Sequence, residues 1–273
     1  MSKRILVIYA THIINDNLLF FLKHGYINNN DVTFYIVFNG VHDTKSIDHY
    51  QKHNLIFRKR PQNIAYDFGC WSDVLFTKVN DHHLYTEYSH YIFVNSSCCG
   101  PFLPVYNNQR WCDLFINKIT DTTKLVGPTI NYYHGRPHVQ SFMMCTDRIG
   151  LDIAINTIIL SPLLDDIYKN IDLTNIKNKD DFVHRNEVGL SQHILKNNYN
   201  IACLLKAYEN VDFRILKTPT MNYSFGTSID DHSYEGKYFG ISFHPYEVIF
   251  FKANRGISSN ILHKYTQFHD AKK

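Results

Sequence analysis

The residues best placed to do chemistry follow a short apolar run. Tyr91-Ile-Phe-Val94 ends abruptly in Asn95-Ser96-Ser97, and Cys98-Cys99-Gly100-Pro101 comes next within a block that closes at Pro104. Such a run predicts a buried strand that delivers a loop. In an open α/β sheet, ligands bind beyond the carboxyl ends of the strands. The Asn95 amide, the Ser96 and Ser97 hydroxyls and the freed backbone N–H groups are therefore candidates to meet a ligand phosphate or a bound metal. The same residue types also build ordinary turns, and that reading stays open here. A hydrolase using Ser96, Ser97 or Cys98 as nucleophile is a weaker third reading, because neither a Gly-x-Ser-x-Gly surround nor an oriented base accompanies them.

Other clusters carry less. His134-Gly-Arg-Pro-His138 has two histidines at metal-ligand spacing, but Gly135 and Pro137 forbid the helix that would align them on one face. The six cysteines show neither Cys-x-x-Cys pairs nor the density of a stapled secreted domain, so they read as reduced thiols. Arg58-Lys59-Arg60 reads as a solvated loop after a strand. Gln140-Ser-Phe-Met-Met-Cys145 alternates in a way that suits either a core strand or a strand lining a site, with Gln140 and Ser141 as hydrogen-bonding groups.

The elements that must position these residues alternate. Ile5 to Ala10 reads as a strand buried on both faces, and Ile14 to His24 has helical spacing that stops at Gly25. Val32 to Phe38, closed by Asn39-Gly40, is a second strand; Ser46 to His53 is a candidate short helix; Leu55 to Phe57 is a third strand. A helix over Trp71 to Leu84 then precedes the Tyr91 to Val94 strand. Strand and helix in alternation imply an α/β fold with a parallel sheet. Further on, Trp111 to Ile119 reads as helix, Lys124 to Gly127 and Val139 to Cys145 as strands, and Asp147 to Leu160 as a helix with Asp147 as its N-cap. Asn170 to Arg185 reads as a mobile surface connection, Glu187 to Lys196 as helix and Tyr246 to Phe251 as strand.

Composition narrows the classes. With 273 residues and 44% apolar content, the chain can bury a real core. Its 28 basic and 25 acidic residues are interspersed, unlike the concentrated basic footprint of a nucleic-acid binder. The basic, apolar start is interrupted by Thr11, His12, Asn15 and Asp16, too early for a signal peptide. No stretch approaches a membrane span. A cytoplasmic protein is expected, with any membrane contact peripheral.

Four blocks in this order resemble a known family: Asn63-Ile-Ala-Tyr-Asp-Phe-Gly-Cys-Trp71, Tyr91 to Pro104, Asn186-Glu-Val-Gly-Leu-Ser191 and His244-Pro-Tyr-Glu-Val-Ile-Phe-Phe-Lys-Ala-Asn-Arg255. Together they are similar to rhamnan-synthesis-type and related polysaccharide glycosyltransferases of the A-type fold, over roughly residues 4 to 255. The resemblance implies a Rossmann-like, mostly parallel sheet flanked by helices, with a C-terminal extension. The chain shows no internal repeat and no convincing domain boundary, so one domain over 1–273 is expected, with a nucleotide-sugar half at 1–127, an acceptor and catalytic half at 128–208 and the extension at 209–273.

The implied activity is inverting transfer from a nucleotide-sugar donor to a glycan, polysaccharide or glycoprotein acceptor. An inactive glycan- or nucleotide-binding module on the same scaffold is the alternative, and a homodimer is left open. Glu187 matches the position of the catalytic base, which takes the proton of the acceptor hydroxyl. Asp67 and Gly69 fall beside the donor nucleotide, as does Asn39 at the end of the second strand. The family's Asp-x-Asp signature, which holds a divalent cation, here reads Asn95-Ser96-Ser97. That replacement removes the carboxylates Mg²⁺ or Mn²⁺ prefers. A cation held by Asn95, Ser97 and His244 is one expectation; neutralisation of the diphosphate by Arg136, Arg148, Lys252 and Arg255 is the other.

Overall fold

Apolar runs that are closed to water on both faces have to pair with one another, because each buried backbone N–H and C=O needs a partner. In the computed structural model, which describes residues 3–40, 43–215, 231–255 and 259–271, such runs and two partly exposed edge strands form one seven-stranded sheet. They are β1 (Ile5–Thr11), β2 (Val32–Asn39), β3 (Leu55–Arg60), β4 (His90–Asn95), β5 (Thr123–Gly127), β6 (Met143–Asp147) and β7 (Asn200–Cys203). The spatial order is β7-β5-β6-β4-β1-β2-β3. All neighbours run parallel except β6, which is antiparallel to both β4 and β5. The fold is α/β, with a mostly parallel sheet covered by helices.

Strand alternation divides the core into two layers. Leu6, Ile8 and Ala10 of β1 pack with Phe68, Trp71, Val74 and Leu75 of α2 (Tyr66–Leu75). Ile5, Val7 and Tyr9 face the other way, toward Leu18, Phe21 and Leu22 of α1 (Asp16–His24) and Trp111 of α3 (Trp111–Ile116). Helix α1 begins where the Asn15 side chain accepts the N–H of Leu18. Helix α4 (Arg148–Asn156) begins at Asp147, whose carboxylate accepts the N–H of Gly150, as its sequence anticipates.

Register places the working edge. Ala10 lies opposite Asn95, and Val94 lies opposite Met143, the first residue of β6. The carboxyl ends of β1 and β4 and the start of β6 therefore share one edge of the sheet. Asp147 pairs with His90, so the end of β6 lies at the opposite edge.

Several expectations change. Arg58-Lys59-Arg60 is not a solvated loop: it lies on β3, and Arg60 is buried against Asn39 and Asp165. The long helix expected to begin at Trp71 begins at Tyr66 and stops at Leu75, where Lys78–Val79 and His82–His83 pair as a small ribbon. The run Val139 to Cys145 is two strands, because Arg136–Val139 pairs with Ile130–Tyr133 and the chain breaks at Gln140 before β6. Only Asp48–Tyr50 of Ser46 to His53 makes a helical turn.

The segment expected as a mobile connection follows α5 (Leu164–Tyr168) and holds α6 (Ile176–Val183) within it. Asn175 caps α6 by accepting from Lys177 and Asn178. The tail run splits into α8 (Pro245–Val248) and a two-residue strand, Phe251–Lys252, because Ile249 takes a positive φ of 66° between them. Of the expected extension, 216–230, 256–258 and 272–273 lie outside the described residues. Among the described residues no helix is long and apolar enough to cross a membrane.

Removing the Arg60 guanidinium would leave the Asn39 carbonyl without its buried donor and open a void beside α2. Arg60→Ala is expected to lower stability by about 2 kcal/mol or more, read as a shift of the urea midpoint at unchanged slope.

Candidate functional site

Four separated segments meet at the shared edge. The first is the turn before α2. Ala65 and Tyr66 both take positive φ (53° and 45°), a conformation that needs outside support in non-glycine residues. Asn39 supplies it: its amide donates to the Tyr66 carbonyl at 3.1 Å and to Asn63, while its own carbonyl accepts from Arg60 at 2.8 Å. The turn sets Asp67 in the first turn of α2, facing the end of β4.

The second segment is the β4 exit. The Asn95 Nδ2 donates to Asp67 Oδ2 at 2.7 Å, and Asn95 Oδ1 accepts from the Ser97 N–H at 3.0 Å and the Ser97 hydroxyl at 2.6 Å. The Ser96 backbone is tied to the start of the chain: its N–H bonds the Ala10 carbonyl, and its carbonyl accepts from Asn15 and Asn17 of the α1 start. Loss of hydration raises the Asp67 carboxyl to about 7. The Asn95 bond opposes that rise, the neighbouring Glu187 charge adds to it and Lys252 offsets it.

Glu187 comes from the third segment. It was expected near the start of a helix, but α6 continues through a π turn (His184–Val188) into α7 (Gly189–Lys196), which leaves Glu187 in the middle of a helical run. The wider turn coincides with a buried Asn186, whose amide bonds the Tyr168 hydroxyl and the Phe182 carbonyl. Glu187 Oε2 accepts the Ser141 N–H at 2.7 Å and the Ser141 hydroxyl. The break in the strand at Gln140 is what frees that N–H. The other oxygen, Oε1, faces His138 Nε2 at 3.8 Å.

The fourth segment is C-terminal. Phe251–Lys252 pairs antiparallel with Cys98–Cys99, and Ala253 donates to the Ser97 carbonyl at 2.9 Å. This ribbon sets Lys252 opposite Cys98 in register, with its ammonium 5.9 Å from the Phe142 ring centre. Arg255 follows: its Nε bonds Asp231 Oδ2 at 3.0 Å, and the same oxygen accepts from Gln140 at 3.1 Å. Gly100 permits the approach of this tail, since a Cβ there would stand 2.5 Å from the Ile249 carbonyl. Among the described residues, the Lys252 ammonium has no hydrogen-bond or ion-pair partner, whereas the Arg255 guanidinium is paired with Asp231 and lies 5.3 Å from the Tyr234 ring centre.

The structure thus brings together Asp67, Asn95, Ser97, Gln140, Ser141, Glu187, Lys252 and Arg255. Other expected residues are placed elsewhere or otherwise occupied. Asn39 supports the turn before α2 rather than facing the cluster. Gly69 lies one step along α2, where a Cβ would stand 2.4 Å from the Ile64 carbonyl, so its smallness serves packing. Arg148 lies at the opposite edge of the sheet because β6 runs antiparallel. There it pairs with Asp152 at 2.9 Å and stacks over Tyr85. Arg136 is bonded to His184. His244 caps α8 through Nδ1, and its Nε2 meets the Tyr265 hydroxyl, so both ring nitrogens are used.

The donor set does not fit a tightly held hard cation. Asn95 Oδ1 already accepts two bonds from Ser97, Glu187 Oε2 is taken by Ser141, and His244 is engaged. Among the described residues no three His, Cys, Asp or Glu side chains gather as a metal-binding group. The six cysteines are buried, unpaired thiols.

No family model matches the chain, and no curated protein matches it. Among solved structures it is similar to the glycosyltransferase GlyE of Streptococcus pneumoniae TIGR4, with a TM-score of 0.40 and 12% identity over 77% of this chain and 47% of that one. The chain spans about half the length of that protein. A likeness this remote carries no argument about activity.

Sequence reasoning missed His138, Asp231, Asn15 and Asn17. His138 stood in a motif discounted for want of a helix, whereas a hairpin brings it in. Asp231 had no local signal.

Asp67 is less acidic in the folded chain than in the unfolded one, so the folded state holds its proton more tightly. Its contribution to stability is lost as pH rises from the ordinary carboxylate range through about 7. Asp67→Asn keeps an acceptor for Asn95 and removes this penalty. The variant should match or exceed the parent's urea midpoint at about pH 8, and the difference should vanish near pH 4.

Proposed function

We propose that the chain is an inverting glycosyltransferase that moves a sugar from a nucleotide-sugar donor to a glycan or glycoprotein acceptor. The observation that carries this reading is the convergence of two cationic groups, an unpaired Lys252 ammonium and an Arg255 guanidinium held by Asp231, with a partly shielded carboxylate, Glu187, at the carboxyl edge of a mostly parallel sheet. That edge is where open α/β sheets take ligands. The motif order across the chain, which resembles the A-type polysaccharide transferases, supports the same reading.

The chemistry follows from which atoms remain available. Glu187 Oε2 is held by Ser141, which leaves Oε1 to accept the proton of an acceptor hydroxyl. As that proton leaves, the hydroxyl oxygen bonds to the anomeric carbon. The bond from that carbon to the phosphate oxygen breaks on the opposite face, and the electron pair departs with the nucleoside diphosphate. Lys252 and Arg255 stabilise its growing charge, a role that fixed cations can fill without a metal. Asp67, with one oxygen bonded to Asn95, keeps its other oxygen for a donor hydroxyl. An Asp67 that is partly protonated near neutral pH also lessens its repulsion of the diphosphate.

Incubation with UDP-, GDP- and dTDP-sugars, with Mn²⁺ or with EDTA, should show donor turnover that EDTA does not abolish. Failure to bind any nucleotide sugar would sink the proposal, and binding without turnover would favour a binding module. Glu187→Gln should lower kcat by about 10²- to 10⁴-fold with donor affinity unchanged. Lys252→Ala and Arg255→Ala should each weaken nucleoside diphosphate binding by about ten- to a hundredfold, measured by calorimetry.

A further inference from the structure

A buried histidine stands behind the proposed base, with one ring nitrogen toward a backbone carbonyl and the other toward the carboxylate. His138 is 4% exposed and lies on the hairpin strand Arg136–Val139. Both neighbours in sequence are fastened to α7: the Val139 N–H donates to Ser191 Oγ at 3.0 Å, and the Pro137 carbonyl accepts from Gln192 at 2.8 Å. The ring between them has little freedom. Its Nδ1 lies 3.4 Å from the Arg136 carbonyl, within hydrogen-bond reach, whereas Nε2 stands 3.8 Å from Glu187 Oε1, beyond it; with the hydrogen on Nδ1, Nε2 presents a lone pair. That lone pair faces Glu187 Oε1 at 3.8 Å, and the carboxylate's other oxygen is held by Ser141. Two acceptors face each other across a gap that lacks one proton.

Resting on the transferase reading above, we propose that His138 is a positioning residue of the transfer step: once Glu187 Oε1 has taken the proton of the acceptor hydroxyl, Nε2 closes on it from 3.8 Å, holds it as a hydrogen-bond acceptor and receives that proton. The steps balance. The hydroxyl proton passes to Oε1 while the acceptor oxygen bonds to the anomeric carbon and the diphosphate leaves with its electron pair. The proton then moves from Oε1 to Nε2, giving an imidazolium beside a restored carboxylate, and is released to water after the products depart.

The charged groups facing His138 come from each element around it. They are Glu187 on the π turn, Asp231 from the C-terminal segment and Lys252 from the tail ribbon, with the Arg136 carbonyl on its own strand. Burial lowers the ring's basicity below the ordinary histidine value, against the two carboxylates, so the resting ring is neutral.

Two measurements test the pairing and the transfer separately. In ¹⁵N-histidine NMR spectra, with His138 assigned by its loss in His138→Gln, the ring should be the Nδ1–H tautomer at neutral pH. Its titration midpoint should fall in Glu187→Gln, where the facing carboxylate is lost. An Nε2–H tautomer, or a midpoint indifferent to Glu187, overturns the relay whatever the activity.

In kinetics with the donor found in the nucleotide-sugar panel, His138→Gln should lower kcat by about ten- to a hundredfold with donor KM unchanged. It should also flatten the acidic limb of the kcat profile. An equal loss in nucleoside diphosphate affinity, or an unchanged profile, assigns His138 a structural role and overturns the proposal. Absence of turnover with every donor overturns the relay together with the transferase reading, while the NMR result still decides the His138–Glu187 pairing.

Discussion

Two carboxylates, Asp67 and Glu187, are held close enough at one poorly hydrated edge for their charges to repel, and the surrounding arrangement tempers that repulsion. Asn95 donates to one and Ser141 to the other, each through a side chain or backbone group whose own position is fixed by a strand end. Lys252 is brought in from the tail to oppose the Asp67 charge. Donors aimed at the carboxylates hold them in place, and the nearby cation lessens the cost of keeping negative charge away from bulk water.

The antiparallel β6 is what makes this assembly compact. A parallel strand there would have delivered its amino end to the far edge of the sheet and carried Gln140 and Ser141 with it. Because β6 runs backward, the hairpin that precedes it folds over the carboxyl end of β4, and Glu187 on the helix behind finds Ser141 in front of it. The same reversal carries Arg148 away, which shows how one strand direction sorts candidate residues that look equivalent in the sequence.

Much of the sheet was legible because its strands are continuous apolar runs bounded by turn residues: Ile5 to Ala10, Val32 to Phe38 and Tyr91 to Val94 need no tertiary information. The α4 cap at Asp147 was legible for the same local reason. What escaped was set by distant contacts. Arg60 looks solvated beside Arg58 and Lys59 until Asn39 and Asp165 close over it. The helix α6 hides in a polar stretch because most of its surface faces water and only Phe182 is buried. For the candidate site, the sequence supplied Asp67, Asn95, Ser97, Glu187, Lys252 and Arg255 as separate residues. Nothing local revealed Asp231 or that a hairpin, rather than a helix, would turn His138 toward Glu187.

The two-residue ribbon between Cys98–Cys99 and Phe251–Lys252 has a consequence for how the molecule acquires its site. Pairing segments more than half the chain apart requires closing a long loop, and that entropy is recovered only once the sheet already exists as a template. A chain whose central sheet has formed while its tail is undocked would hold both carboxylates and lack the Lys252 charge that opposes Asp67. Completion of the electrostatic environment is thereby coupled to completion of the fold.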